Sequence, residues 1–170
     1  YGYKVDCSVT PQINWNSSLG ATIGSCGSDY STYPLMPYFV SKSKSLLEVP
    51  VTVIKTNRFF VSDRCSLKGK AKQIYNGIKG RAVWLRPTGN NLNEMLWMIK
   101  CVANDDNKDY IMFMLHSSEF MPGGSPTFKT SEDIEILYEH LNIIFTEAAK
   151  TFEGCTVEQY AQSIMEENTR

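Results

Sequence analysis

Tyr110-Ile111-Met112-Phe113-Met114-Leu115 is an unbroken apolar run, and it stops at His116-Ser117-Ser118-Glu119. A continuous run of this length without polar alternation predicts a strand buried on both faces, the mark of a parallel sheet covered by helices. Its neighbours in the chain fit that setting. Upstream, Asn91 to Val102 places Leu92, Met95, Leu96, Ile99 and Val102 on one helical face, with Asp105-Asp106-Asn107 ending the helix. Downstream, Thr130 or Ser131 caps a long helix whose apolar stripe is Ile134, Leu137, Leu141, Ile144, Phe145 and Ala148, with Gly154 as its stop. Thr156 caps a shorter helix carrying Val157, Tyr160, Ala161 and Ile164, and Glu166-Glu167 is expected to fray. Strands alternating with helices predict an α/β fold with mainly parallel strands and flanking helices.

Towards the N-terminus, Tyr3 to Val9 reads as a short strand closed by Thr10-Pro11, because proline lacks the donor that continued pairing needs. Gln12 to Ser45 has no period. Its aromatics Trp15, Tyr30, Tyr33, Tyr38 and Phe39 favour an ordered loop, and loops of that length are uncommon unless functional or disordered. Leu46 to Ile54 is a valine-rich buried strand in which Pro50 predicts an edge or a bulge, Lys70 to Ile78 a short helix before Gly80, and Ala82 to Leu85 a strand ending at Arg86-Pro87. At 170 residues the chain is expected to form one domain or part of one. Because Tyr1 to Val5 already reads as the start of a strand, the expectation is that the chain begins within that domain.

Basic and acidic residues number 17 and 18 and are mixed along the chain, so no basic stripe is available for nucleic acid or an anionic membrane. The run Ile111 to Leu115 is far short of the roughly 20 apolar residues that span a bilayer. Five widely spaced cysteines without a Cys-x-x-Cys pair read as reduced thiols in a cytoplasm.

Sites on parallel α/β sheets lie at the carboxyl ends of the strands. His116 stands at such an end, where its imidazole can donate a proton near neutrality, and Ser117 and Glu119 follow it in a polar loop that can hold a substrate. The alternative is a histidine that only caps the strand end. Asp6 has a similar placement, to orient a base or bind a sugar hydroxyl, or to form a turn with nearby amides. Arg86 ends another strand and can bind a substrate or form an ion pair, with Asp6 as one partner. His140 lies mid-helix with no metal-ligand spacing, and Gly123-Gly124 allows either close ligand approach or a tight turn. The sequence has no phosphate-cradling Gly-rich loop and no Gly-x-Ser-x-Gly elbow.

Several stretches taken together point to a family. Gly2-Tyr3-Lys4-Val5-Asp6-Cys7-Ser8-Val9-Thr10-Pro11, Asp29-Tyr30-Ser31, Leu47-Glu48-Val49-Pro50-Val51-Thr52, Trp84-Leu85-Arg86-Pro87-Thr88, Met114-Leu115-His116-Ser117-Ser118-Glu119 and Pro122-Gly123-Gly124-Ser125-Pro126 resemble, in this order, polysaccharide deacetylases. The nearest likeness is to the carbohydrate esterase branch associated with lipopolysaccharide or O-antigen biosynthesis.

The resemblance implies a distorted (β/α) barrel, of which this chain would form the C-terminal part, and hydrolysis of an N-acetyl group by a metal-activated water, zinc being usual. It implies that Leu115-His116 supplies the general acid for the leaving amine and that Asp6 supports it. Arg86, Trp15, Tyr30, Ser117 and Glu119 are the expected carbohydrate contacts. The family's metal ligands, its catalytic base and an Arg-bearing motif belong to a portion preceding Tyr1, so the chain alone is expected to bind no metal and to be inactive. That missing portion is then an expected partner, and a homo-oligomer is another way to cover open strand edges. Two further functions remain open: a carbohydrate-binding module using Trp15, Tyr30 and Tyr38 as a platform, and an assembly partner in cell-envelope biosynthesis.

Overall fold

The computed structural model describes residues 2–16, 27–42, 45–60 and 80–167. The helix expected at Lys70 to Ile78 and part of the Gln12 to Ser45 loop lie outside the described residues. The chain divides into two compact units, one of residues 1–53 with 153–170 and the other of residues 54–152.

In the first unit, β1 (Val5–Asp6), β2 (Tyr38–Phe39) and β3 (Leu47–Glu48) form a sheet of order β1-β3-β2. β1 runs parallel to β3, with Val5 opposite Leu47 and Asp6 opposite Glu48, and β2 runs antiparallel to β3. The strands are shorter than their apolar runs. Backbone bonding between the two parallel segments nevertheless continues from Leu47 N to Lys4 O through Val49 N to Asp6 O and Val51 N to Val9 O. Pro50 sits between the last two donors and cannot contribute one, so the expected strand over Leu46 to Ile54 is divided at that residue. Leu47 and Val49 are fully buried and Val9 and Val51 nearly so. A helix, α3 (Val157–Glu167), packs against β1 and buries Ala161. Thr156 caps it: its hydroxyl accepts the Gln159 amide, and the Gln159 side chain accepts the Thr156 amide.

Among its described residues the second unit is built on a two-stranded sheet of β4 (Val53–Thr56, its first residue counted with the other unit) and β5 (Arg81–Trp84) and on two helices that pack together, α1 (Leu92–Ala103) and α2 (Ser131–Ala148). Val83, Leu85, Met95, Met98, Ile99 and Ile144 form one apolar cluster, and Phe128, Ile134, Leu137 and Leu141 a second. Phe113 packs against both. The segment Tyr110 to Leu115, expected as a buried strand, forms no strand in the described structure; it is half-buried, and Met114 N donates to Leu85 O at 3.1 Å. Its apolar residues are there to bridge the two clusters, a use that an apolar run serves as well as a sheet does.

The helices follow the expected pattern with two differences. Phe145 is 53% exposed, one residue round the helix from the buried Ile144, although its ring meets Phe113 at 5.4 Å. α2 ends at Ala148, well before Gly154, and Phe152 N closes back onto Ala148 O. On α1, Glu94 is buried among the apolar residues beside Arg81, 2.7 Å away.

Candidate functional site

His116 leaves the Tyr110 to Leu115 segment in extended conformation and is exposed to solvent, followed by a single 3-10 turn over Ser117–Phe120. The first amide of such a turn has no partner within it. Glu119 supplies one: its Oε2 accepts the His116 N–H at 3.0 Å. The other oxygen, Oε1, receives Nη2 of Arg86 at 2.5 Å. Glu119 is 1% exposed, so both of its oxygens are committed inside the protein. It braces backbone where the sequence pointed to a substrate contact.

Arg86 is itself held. It follows β5, its carbonyl accepts Nδ2 of Asn91 at 2.9 Å, and Asn91 Oδ1 accepts the Thr88 amide at 2.8 Å. Its Nε is buried and meets no acceptor among the described residues. Ser117 is exposed on the turn beside His116. The Gly123-Gly124 pair closes the loop behind it: Gly123 adopts φ +75°, and a Cβ at Gly124 would lie 2.3 Å from Ser118 O. Glycine is required there by the backbone's own approach.

The remaining expected residues belong to the first unit. Asp6 accepts the Ser8 amide at 3.2 Å and the Ser8 hydroxyl at 3.1 Å, the turn-forming arrangement. Trp15 and Tyr30 lie on two segments bonded to each other, Trp15 N to Ser28 O and Tyr30 N to Ile13 O, with Asn14 Nδ2 on Asp29 at 2.7 Å. Tyr30, Tyr33 and Tyr38 stack edge to face in series, with centroids 5.1 and 6.4 Å apart. Trp15 is half-buried. The structure thus gathers Arg86, His116, Ser117 and Glu119 in one unit, and Asp6, Trp15 and Tyr30 in the other.

Glu48 escaped the reading of the sequence. It is 1% exposed, its Oε1 accepts the Val9 amide at 3.0 Å, and it pairs in register with Asp6. Burial pushes its carboxyl above the usual range, opposed by the Val9 amide and reinforced by Asp6. Burial and then the Glu48 charge push the Tyr38 phenol up to about 12, and the same two causes raise the Cys7 thiol. A glutamate inside the apolar run Leu46 to Ile54 was the available signal, since a charge in such a run needs a partner.

In the second unit, Thr88, Gly89, Asn90, Thr127, Phe128 and Asp133 line an open cleft of about 190 Å³. Among the described residues no group of three or more His, Cys, Asp or Glu is placed to hold a metal ion. No helix of the described residues is long and apolar enough to cross a membrane.

No protein-family model matches the chain, and neither a curated protein nor a solved structure is significantly similar to it.

Proposed function

We propose that this chain supplies the general-acid side of a carbohydrate N-deacetylase, with His116 donating the proton to the departing amine. The observation that carries the reading is the pairing of an exposed histidine with an anchored backbone. His116 faces solvent, yet its amide is held by a buried carboxylate that a guanidinium neutralises. A proton donor must reach the leaving group while keeping its place, and effective acid catalysis depends on that fixed geometry. Ser117 beside it offers a hydroxyl to a sugar.

The resemblance to polysaccharide deacetylases supplies the substrate class, an N-acetylated sugar or polysaccharide of cell-envelope biosynthesis, and the C-terminal part of a (β/α) barrel as the architecture. It also calls for a metal-bearing portion. Cys7, Cys101 and Cys155 are free thiols, which suits a cytoplasmic setting.

Acetate release from an N-acetylglucosamine oligomer, followed with zinc in the intact protein that joins this chain to the metal-bearing portion, in wild type and in His116→Ala, tests the proposal. A fall of about a hundredfold or more in the variant, the usual worth of a positioned acid, supports it. Equal rates remove His116 from the reaction.

A second reading draws on the Tyr30, Tyr33 and Tyr38 series, whose middle ring is 39% exposed: a carbohydrate-binding face without catalysis. Sugar binding abolished by Tyr33→Ala but untouched by His116→Ala favours it.

A further inference from the structure

We infer that Arg86 and Glu119 are positioning residues for His116, acting as a buried clamp that ties the loop after β5 to the turn that carries the imidazole. The functional consequence rests on the proposed role of His116; the clamp itself does not.

A glutamate that returns to the amide at the start of a turn is a common cap, and in its common form it sits in water. Here the carboxylate is 1% exposed. Burying a charge is costly unless it is paired, so a cap alone does not account for this placement. The pairing comes from Arg86, 33 residues earlier in the chain, on the segment that leaves β5. Arg86 does not wander, because Asn91 grips its carbonyl from the start of α1 while capping the Thr88 amide. Asn91 thus holds the Arg86 backbone, and the Arg86 guanidinium is linked through Glu119 to the His116 amide. Each step uses a different atom, and neither oxygen of Glu119 is left over.

The consequence is a division of labour. His116 is exposed, and its backbone amide is fixed by the buried Glu119 carboxylate, itself paired with Arg86. Arg86→Lys keeps the positive charge and loses the planar fork that reaches Glu119 from this angle. Glu119→Gln keeps an acceptor for the His116 amide and loses the charge that matches Arg86.

Amide hydrogen exchange on the nitrogen-15-labelled chain tests the clamp without any need for activity. The His116 amide is expected to exchange at least about tenfold faster in Glu119→Ala and in Arg86→Met, and close to the wild-type rate in Glu119→Gln. The Met98 and Ile144 amides in the core report whether the fold survives. If Arg86→Met unfolds the unit, Arg86→Lys is read in its place, with the same direction expected. An unchanged His116 amide in the folded Arg86 variant overturns the inference.

A second readout separates positioning from simple support. In the intact protein with its metal-bearing portion and zinc, Arg86→Lys is expected to lower kcat for acetate release by about tenfold with KM within about twofold, and to have no further effect once His116 is alanine, as residues acting through one another do. An equal loss in both backgrounds overturns it. If wild type releases no acetate, the deacetylase reading falls, and the exchange experiment still decides the clamp.

Discussion

Glu119 and Arg86 meet at 2.5 Å although 33 residues separate them, and the carboxylate that receives the guanidinium is almost wholly out of water. Removing one member of such a pair strands the other. Glu119→Ala is expected to lower unfolding free energy by about 3 kcal/mol, the low end for a broken buried pair because Arg86 retains some solvent contact. Glu119→Gln should lose clearly less. Urea unfolding followed by circular dichroism measures both, and a loss in Glu119→Ala within the scatter of surface substitutions contradicts the burial argument.

Glu48 makes stability depend on pH in the direction opposite to an ordinary ion-paired carboxylate. Burial raises its folded value, so the folded state holds this proton more tightly than the unfolded chain does. The stabilisation is therefore complete below the unfolded value, about pH 4, and is lost as pH rises through the folded one. Glu48→Gln preserves an acceptor for the Val9 amide and removes the titration. Thermal melts should show the variant gaining on wild type from about pH 4 upward to neutrality; a constant difference across that range refutes the assignment.

Tyr38 should ionise above the ordinary tyrosine range, since burial and the Glu48 charge push it up to about 12. An alkaline titration followed by tyrosinate absorbance is expected to lose its phase near 12 in Tyr38→Phe. In Glu48→Gln that phase should move down. A phase there that survives Tyr38→Phe belongs to another ring.

Thr130 caps α2 reciprocally, its hydroxyl accepting the Asp133 amide while Asp133 accepts the Thr130 amide. Thr130→Ala should cost about 1 kcal/mol in the same urea experiment. No measurable cost would mean that the packing of Leu137 and Ile144 alone sets where the helix begins.

The three helices of the described residues were legible because a helix carries its own period: the buried positions of α1 and α2 recur at 3.6-residue spacing, and Thr130 and Thr156 announce their starts. Tyr110 to Leu115 misled because an apolar run says that a segment is covered without saying by what; Phe113 lies between two side-chain clusters, and the segment forms no strand in the described structure. His116 and Ser117 were legible as exposed polar residues at the end of that run. The partner of Arg86 was not, because Asp6 and Glu119 were equivalent carboxylates until tertiary structure chose between them. Glu48 was hidden for the same reason, since its acceptor role depends on Val9, which the parallel pairing of β1 with β3 brings alongside.

The central claim, that His116 faces an N-acetylated sugar, is tested most directly by recording the imidazole signals of both histidines while an N-acetylglucosamine oligomer is titrated into the chain. The His116 ring signals should shift in a saturable manner, with His140 unmoved and the response unchanged in Tyr33→Ala. Saturable shifts confined to the tyrosine rings, or a His116 signal that stays fixed at the highest saccharide concentration, would contradict the account.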